Sequence, residues 1–340
     1  MKSVHLVIPD LFLPKHIAVE VCAELRLSSL EQLLSRGALT STAETGDFGA
    51  SLENMLCGMF GLTRSADAPV APISAAFDGL AAGCWLRADP VHLRLQRDQL
   101  LLSGVLVDSE EATQFCASLN THFAGQGLEF FAPHPQRWYV RLDVLPHMRT
   151  TPYSEVFGRN VRSALPTGAD AAHWHQLSNE IQMLLFAHPV NQEREARGEV
   201  PVNSMWFWGA GDTMGALQIA YDSASSDESL VEMLAAAASV PFAAWNARWD
   251  EGSCDGRQLL VWTGLRAALQ RGDLAAWRDA LQDFEVSYAQ PLSQALRSGK
   301  IEQLQLDILG ENGTRCVLFK RAHTWAFWRK VRRLAEYSLV

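Results

Sequence analysis

His188-Pro-Val-Asn-Gln-Glu-Arg-Glu-Ala-Arg-Gly-Glu-Val-Pro-Val-Asn-Ser-Met-Trp-Phe-Trp-Gly-Ala-Gly211 is the stretch that decides the fold. It follows the strongest helical pattern of the chain, Gly168 to Ala187, where Trp174, Leu177, Ile181, Leu184 and Leu185 form one apolar stripe. From His188 it reads as a polar loop entering a short aromatic strand that stops at a Gly-x-Gly turn. His-Pro and Pro-x-Asn are turn chemistry. Arginine can fork onto phosphate or carboxylate oxygens, and glycine lets backbone N–H groups approach an anion. The stretch therefore supports two readings, a structural brace and a ligand pocket.

Working outward, both ends of the chain alternate strands and helices, the pattern of a parallel α/β sheet. Val4-His-Leu-Val-Ile8 reads as a strand buried on both faces, with Pro9-Asp10 placing a carboxylate at its C-terminal end, the sheet edge where ligands bind. A helix is expected over Leu27 to Gly37, capped by Ser28 or Ser29, then a short strand over Leu39 to Thr42 and a helix over Ser51 to Phe60. The Ala, Pro, Ser and Val content of Asp67 to Ala76 suggests a linker. Beyond residue 200, strands are expected at Leu217–Tyr221 and Arg257–Thr263, with a helix over Ser226–Ala238. A long helix from Leu274 to Leu296 should kink at Pro291, and a hairpin should form from Gln303–Leu309 and Cys316–Phe319. Between the ends lie strand-like Cys84–Leu93 and Leu100–Leu102, an acidic helix start at Asp108, and strands at Glu129–Phe131 and Trp138–Asp143. That is a small α+β unit.

The order His-Pro-x-Asn, Arg, Pro-x-Asn and a strand ending in Gly-Ala-Gly resembles the archaeal-type cofactor-independent phosphoglycerate mutases. It resembles more closely their bacterial relatives, the RpfE-type regulatory proteins. The resemblance implies an α/β fold with an alkaline phosphatase-like, mostly parallel sheet core that is discontinuous in sequence, residues 1–75 plus 200–340. A smaller α+β domain, 76–199, is inserted in it. It also implies two bound metals and a hydroxyl nucleophile. On that pattern Asp10 is a metal ligand and Ser51, or alternatively Thr45, the nucleophile. His188, Asn191, Arg194, Asn203, Gly209 and Gly211 match the ligand loop, with Arg87 and Arg137 near the family's basic positions. The remaining metal ligands are missing. The segment Val261–Asp273 offers Thr, Gly, Leu, Arg and Ala where an acid and a histidine are expected, and the later Asp-His pair falls at Glu311-Asn312. The expectation is thus no metal, or a weakly held Mn or Zn, and a phosphoglycerate mutase-like pseudoenzyme acting by ligand sensing or through a protein partner. The alternative is a metal-dependent phosphomutase or phosphatase. Without metals Ser51 reads first as a helix cap, with Asn54 three residues on.

Composition sets the outer bounds. At 340 residues, with 48% hydrophobic and 20% charged residues, the chain is ordinary folded protein of about two domains. A net charge of −9 argues against broad nucleic-acid binding. The small phosphorylated or anionic ligand is what the mutase resemblance implies. Six scattered cysteines without a Cys-x-x-Cys pair exclude a zinc ribbon and suit a reducing cytoplasm. No apolar run is long enough for a membrane span, so no membrane role is expected. The stretch from Lys320 to Arg333 is basic and rich in tryptophan, and is read first as a terminal helix packing Trp325 and Trp328, with docking of a partner, an acidic surface or nucleic acid as the alternative.

Overall fold

The computed structural model describes residues 2–43, 51–62, 67–212, 217–253, 256–310 and 313–338. Two compact units divide the chain, one from Met1–Met55 with Ile219–Val340, the other Leu56–Gln218.

The first unit is built on a seven-stranded sheet in the order Phe242–Ala244, Ser223–Ser226, Arg257–Val261, Ser3–Pro9, Gln303–Gly310, Gly313–Lys320, Ala38–Ala43. Pairing is parallel through the first five strands, and Gly313–Lys320 runs against both of its neighbours. The apolar run at Val4–Ile8 sits at the centre, as a two-face-buried strand should. Val4, Leu6 and Ile8 join Leu260, Leu304, Leu306 and Ile308 in a core that also takes Leu30, Leu33, Trp277, Leu281 and Leu292 from the helices. Each such side chain contributes about 1.5–3 kcal/mol on burial.

One buried polar chain crosses this sheet. His5 bridges the Tyr221 hydroxyl at 2.7 Å and Asp307 Oδ2 at 2.8 Å. Although burial raises the Asp307 carboxyl, hydrogen bonding and charge from His5 outweigh it and hold the group below its ordinary value. Both imidazole nitrogens are thereby satisfied, which is what makes a histidine tolerable at 4% exposure.

The second unit carries an antiparallel sheet in the order Gln99–Gly104, Cys84–Gln96, Arg137–Leu142, Leu128–His134. Helices Ser109–His122 and Ala171–Phe186 cover it with Phe115, Leu119, Trp174, Leu177 and Ile181, against Trp138 and Phe207. Asp108 caps the first of these helices in a reciprocal box with Glu111. Burial pushes the Cys116 thiol up to about 12, so it packs there as a small apolar group.

Several elements differ from the sequence reading. Ser204–Gly211, placed with the core by that reading, pairs instead with Cys84–Gln96, from Val91↔Ser204 to Trp85↔Gly211. The stretch Asp67 to Ala76 is no linker: Val70–Phe77 is a buried helix, and Pro72 is tolerated in its first turn because no intrahelical N–H bond is needed there. Neither Ser28 nor Ser29 caps the next helix, Ser28–Arg36. Glu285 does, accepting from the N–H groups of Ser29 at 2.8 Å and Leu30 at 3.0 Å. Leu217–Tyr221 is irregular, and the strand begins at Ser223. The long helix is interrupted before Pro291 by a π turn at Glu285–Ala289, which absorbs the missing hydrogen bond. The hairpin strands form as expected, but its turn, with Glu311 and Asn312, lies outside the described residues, as do Thr45 and Cys254. Finally, Lys320 to Arg333 forms a short 3-10 turn, Arg321–Trp325, then a further turn and irregular chain, with both tryptophans in solvent.

Candidate functional site

In the first unit, the C-terminal ends of three parallel strands converge on one charged cluster. Asp10 follows Ser3–Pro9, Asp227 and Glu228 follow Ser223–Ser226, and Arg266 comes five residues after Arg257–Val261. Ser51 and Glu53 open the helix Leu52–Met59 beside them.

Asp10 has φ 61, a left-handed conformation that costs a non-glycine residue about 1 kcal/mol or more. Two backbone contacts hold it: its N–H donates to Leu309 O at 2.9 Å, and its carbonyl accepts from Trp277 Nε1 at 3.3 Å. Its carboxylate meets a guanidinium, with Arg266 Nε donating to Oδ2 at 3.0 Å. Burial opposes the charge on Arg266. Asp10, Glu53 and Glu228 override that opposition and hold its pKa above the ordinary arginine value.

The other members are positioned by their own backbone. Ser226 Oγ donates to Val261 O at 2.9 Å and accepts from Glu228 N–H at 2.8 Å. Asp227 accepts from Thr263 N–H at 2.7 Å, tying the two strand ends together. Glu228 accepts from Leu230 N–H at 3.2 Å as the cap of helix Ser229–Ala237. Burial, then the neighbouring Glu53, push the Glu228 carboxyl above its ordinary value of 4.5.

That direction fixes a pH dependence. A carboxyl whose folded pKa is raised favours folding below its unfolded value and loses that contribution as pH rises through the folded one. Glu228→Gln keeps the capping oxygen and removes the charge. The variant should melt higher than the parent at pH 7, with the gain fading as the pH falls toward 4.5. A pH-independent difference in melting temperature would show that Glu228 is not strained.

Ser51 is a helix cap. Its Oγ accepts from Asn54 N–H at 3.0 Å and the residue is 3% exposed.

The metal expectation can be tested on the donors. The described residues of the cluster supply carboxylates and no imidazole, and the Arg266 guanidinium pairs with Asp10 Oδ2. Among the described residues no three His, Cys, Asp or Glu side chains converge in ligand geometry.

The expected ligand loop lies in the second unit, and there its polar atoms are engaged in the fold. His188 is not in a loop; it caps a second helix, Pro189–Ala196, accepting from Val190 N–H at 3.3 Å and bonding Ser118 at 2.8 Å. Asn191 Nδ2 donates to Leu185 O and Val202 O, and its Oδ1 accepts from Val202 N–H. Asn203 pairs both ways with the backbone of Leu93. Arg194 donates to Glu111, Leu106 O and Val200 O. Arg87 pairs with Asp89 at 2.5 Å between the rings of Tyr139 and Trp208, and Arg137 pairs with Asp78. Gly209 and Gly211 serve close packing: a Cβ on Gly211 would meet Pro69 and Pro72 at 2.9 Å, and Gly209 has φ 70. The structural reading of this stretch is the one its contacts describe.

Glu53, Asp227, Glu228 and Arg266 were missed as a group. The rule that singled out Asp10, a carboxylate directly past a parallel strand, applies equally to Asp227-Glu228.

No family model matches the chain. It is similar to 2,3-bisphosphoglycerate-independent phosphoglycerate mutases. With that of Methanosarcina mazei it shares 27% identity over 149 residues, 42% of this chain and 36% of the mutase. With the probable mutase of Geobacter sulfurreducens it shares 36% over 64 residues, 19% of this chain and 16% of that protein. The matched region thus spans about a third or less of these relatives. Among solved structures, the PH0037 protein of Pyrococcus horikoshii superimposes with a TM-score of 0.53 at 12% identity, covering 94% of this chain and 87% of that one. The cofactor-independent phosphoglycerate mutase of Thermoplasma acidophilum gives 0.47 at 15% identity, covering 94% and 90%. The chain shares the fold of the PH0037 protein, and its mostly parallel sheet is of the α/β class expected from the sequence.

Proposed function

We propose that this mutase-like chain is a non-catalytic regulatory protein, of the RpfE-type kind, in which an ion pair replaces the metal centre. The observation that carries this reading is Arg266 on Asp10 at 3.0 Å. A fixed guanidinium neutralises the carboxylate that a metal would otherwise bind, and it has no open coordination position to polarise a phosphate. Asp10, Glu53, Asp227 and Glu228 against one arginine leave the cluster net negative, so a phosphorylated ligand is repelled from it. Regulation through a protein partner accords with that charge better than sensing of a phosphorylated metabolite at this edge.

The second reading is a metal-dependent phosphomutase or phosphatase, in which Asp10 binds Mn or Zn and Ser51 attacks phosphorus. The mutase names of the relatives favour it, as does the gathering of carboxylates at the ligand edge of the sheet. Elemental analysis after incubation with Mn²⁺ or Zn²⁺, alongside phosphomutase and phosphatase assays, separates the two. The regulatory reading expects no tightly held metal and no turnover that Asp10→Ala abolishes. Two firmly bound metals with Asp10-dependent turnover would sink it.

A further inference from the structure

The segment that follows the last strand presents an unusual surface. Trp325, Phe327 and Trp328 are 71%, 77% and 72% exposed, the last two packed edge to face at 5.4 Å. Between residues 320 and 333 stand Lys320, Arg321, Arg329, Lys330, Arg332 and Arg333 with no carboxylate, in a chain of net charge −9.

This segment is held, not loose. Ala326 is buried at its centre. Arg329 donates to Arg36 O at 2.8 Å, Arg332 N–H to Ser35 Oγ at 2.9 Å, and Leu334 N–H to Glu31 Oε1 at 3.0 Å. Leu334 and Tyr337 are buried beyond it, with Tyr337 stacked on Phe12. Anchored on both sides, the three aromatic side chains form a projecting tip collared by cations. It leaves the sheet at Lys320, opposite Gln303, while Asp10 lies past the other end of the same strands. The patch and the charged cluster are therefore at opposite edges of the sheet.

We propose that this tip docks the protein peripherally on an anionic membrane surface. Rings more than 70% exposed are convex, and a convex apolar tip demands a matching pocket in a rigid partner but none in a bilayer interface, which deforms around it. Tryptophan favours the headgroup level, and lysine and arginine beside it are drawn to anionic lipid within a Debye length, over which the acidic remainder of the chain is screened. The expectation of no membrane role rested on the lack of a spanning segment. Among the described residues no helix is long and apolar enough to cross a membrane, and surface docking needs none.

Sedimentation of the full chain with vesicles tests this. Binding is expected to phosphatidylcholine vesicles containing phosphatidylglycerol, not to phosphatidylcholine alone, and should weaken as salt is raised. Trp325→Ser, Phe327→Ser and Trp328→Ser should each lower partitioning by roughly tenfold. Replacing Lys320, Arg321, Lys330 and Arg332 by Gln should abolish the preference for anionic lipid. These side chains are exposed, so circular dichroism should show all variants folded like the parent. No vesicle binding, or binding that folded variants retain, overturns the proposal. Capture of a single-stranded oligonucleotide or salt-sensitive self-association in place of vesicle binding overturns it equally, and reassigns the patch.

Discussion

Arg194→Ala should destabilise the protein by about 3–5 kcal/mol, the cost of breaking a buried ion pair from one side. The guanidinium is 3% exposed and donates to Glu111, to Leu106 O and to Val200 O at once. Its removal leaves Glu111, 8% exposed, with Arg197 as its other ion-pair partner, and strips two carbonyls of a donor. Arg194→Lys should recover little, since an ammonium cannot reach three acceptors in one plane. Urea unfolding followed by tryptophan fluorescence measures the loss directly. A cost below about 1 kcal/mol, the scale of a surface pair, would return this arginine to the ligand role that the resemblance implies.

Arg266→Ala should cost about 3 kcal/mol at neutral pH and, more tellingly, should create a metal response. With the guanidinium gone, Asp10 loses its hydrogen-bond donor, and Glu53 and Glu228 lose the cation that offsets their charge. Divalent manganese then has oxygen ligands to bind, and binding to the native state raises the melting temperature. The parent protein should show no such shift. Acidifying toward 4.5, the ordinary glutamate value, protonates Glu228 and narrows the gap between variant and parent. A variant as stable as the parent, or a manganese shift already present in the parent, would show that Arg266 does not stand in for a metal.

The elements legible in the sequence were those with strong local signals. The apolar run at Val4–Ile8, the stripe of Ala171–Phe186 and the acidic start at Asp108 all form where their patterns place them. What escaped was decided by tertiary context. Glu285 caps a helix some 255 residues away in sequence, a contact no local pattern encodes. Val70–Phe77 looked like a linker because alanine and proline are weak signals, yet small side chains are what let a helix approach Gly209 and Gly211 closely. The aromatic strand Ser204–Gly211 carries no mark of which sheet it joins, because pairing is chosen by Cys84–Gln96 across more than a hundred residues. In the site, Asp10 was legible as a strand-end carboxylate and Arg266 only as a missing ligand. That the two meet depends on strands adjacent in the sheet and some 250 residues apart in the chain.

The central strand Ser3–Pro9 is translated long before either of its neighbours. Its two neighbours, Arg257–Val261 and Gln303–Gly310, leave the ribosome only after the whole second unit has been translated. The contiguous segment Leu56–Gln218 can close its own sheet on the nascent chain, whereas Val4-His-Leu-Val-Ile8 waits through more than 290 residues of synthesis with both edges open. At 5–20 residues per second that is on the order of half a minute in which an apolar, uncharged strand is available to the wrong partner. The sheet of the first unit therefore closes around its central strand only once residues 257–310 have been made.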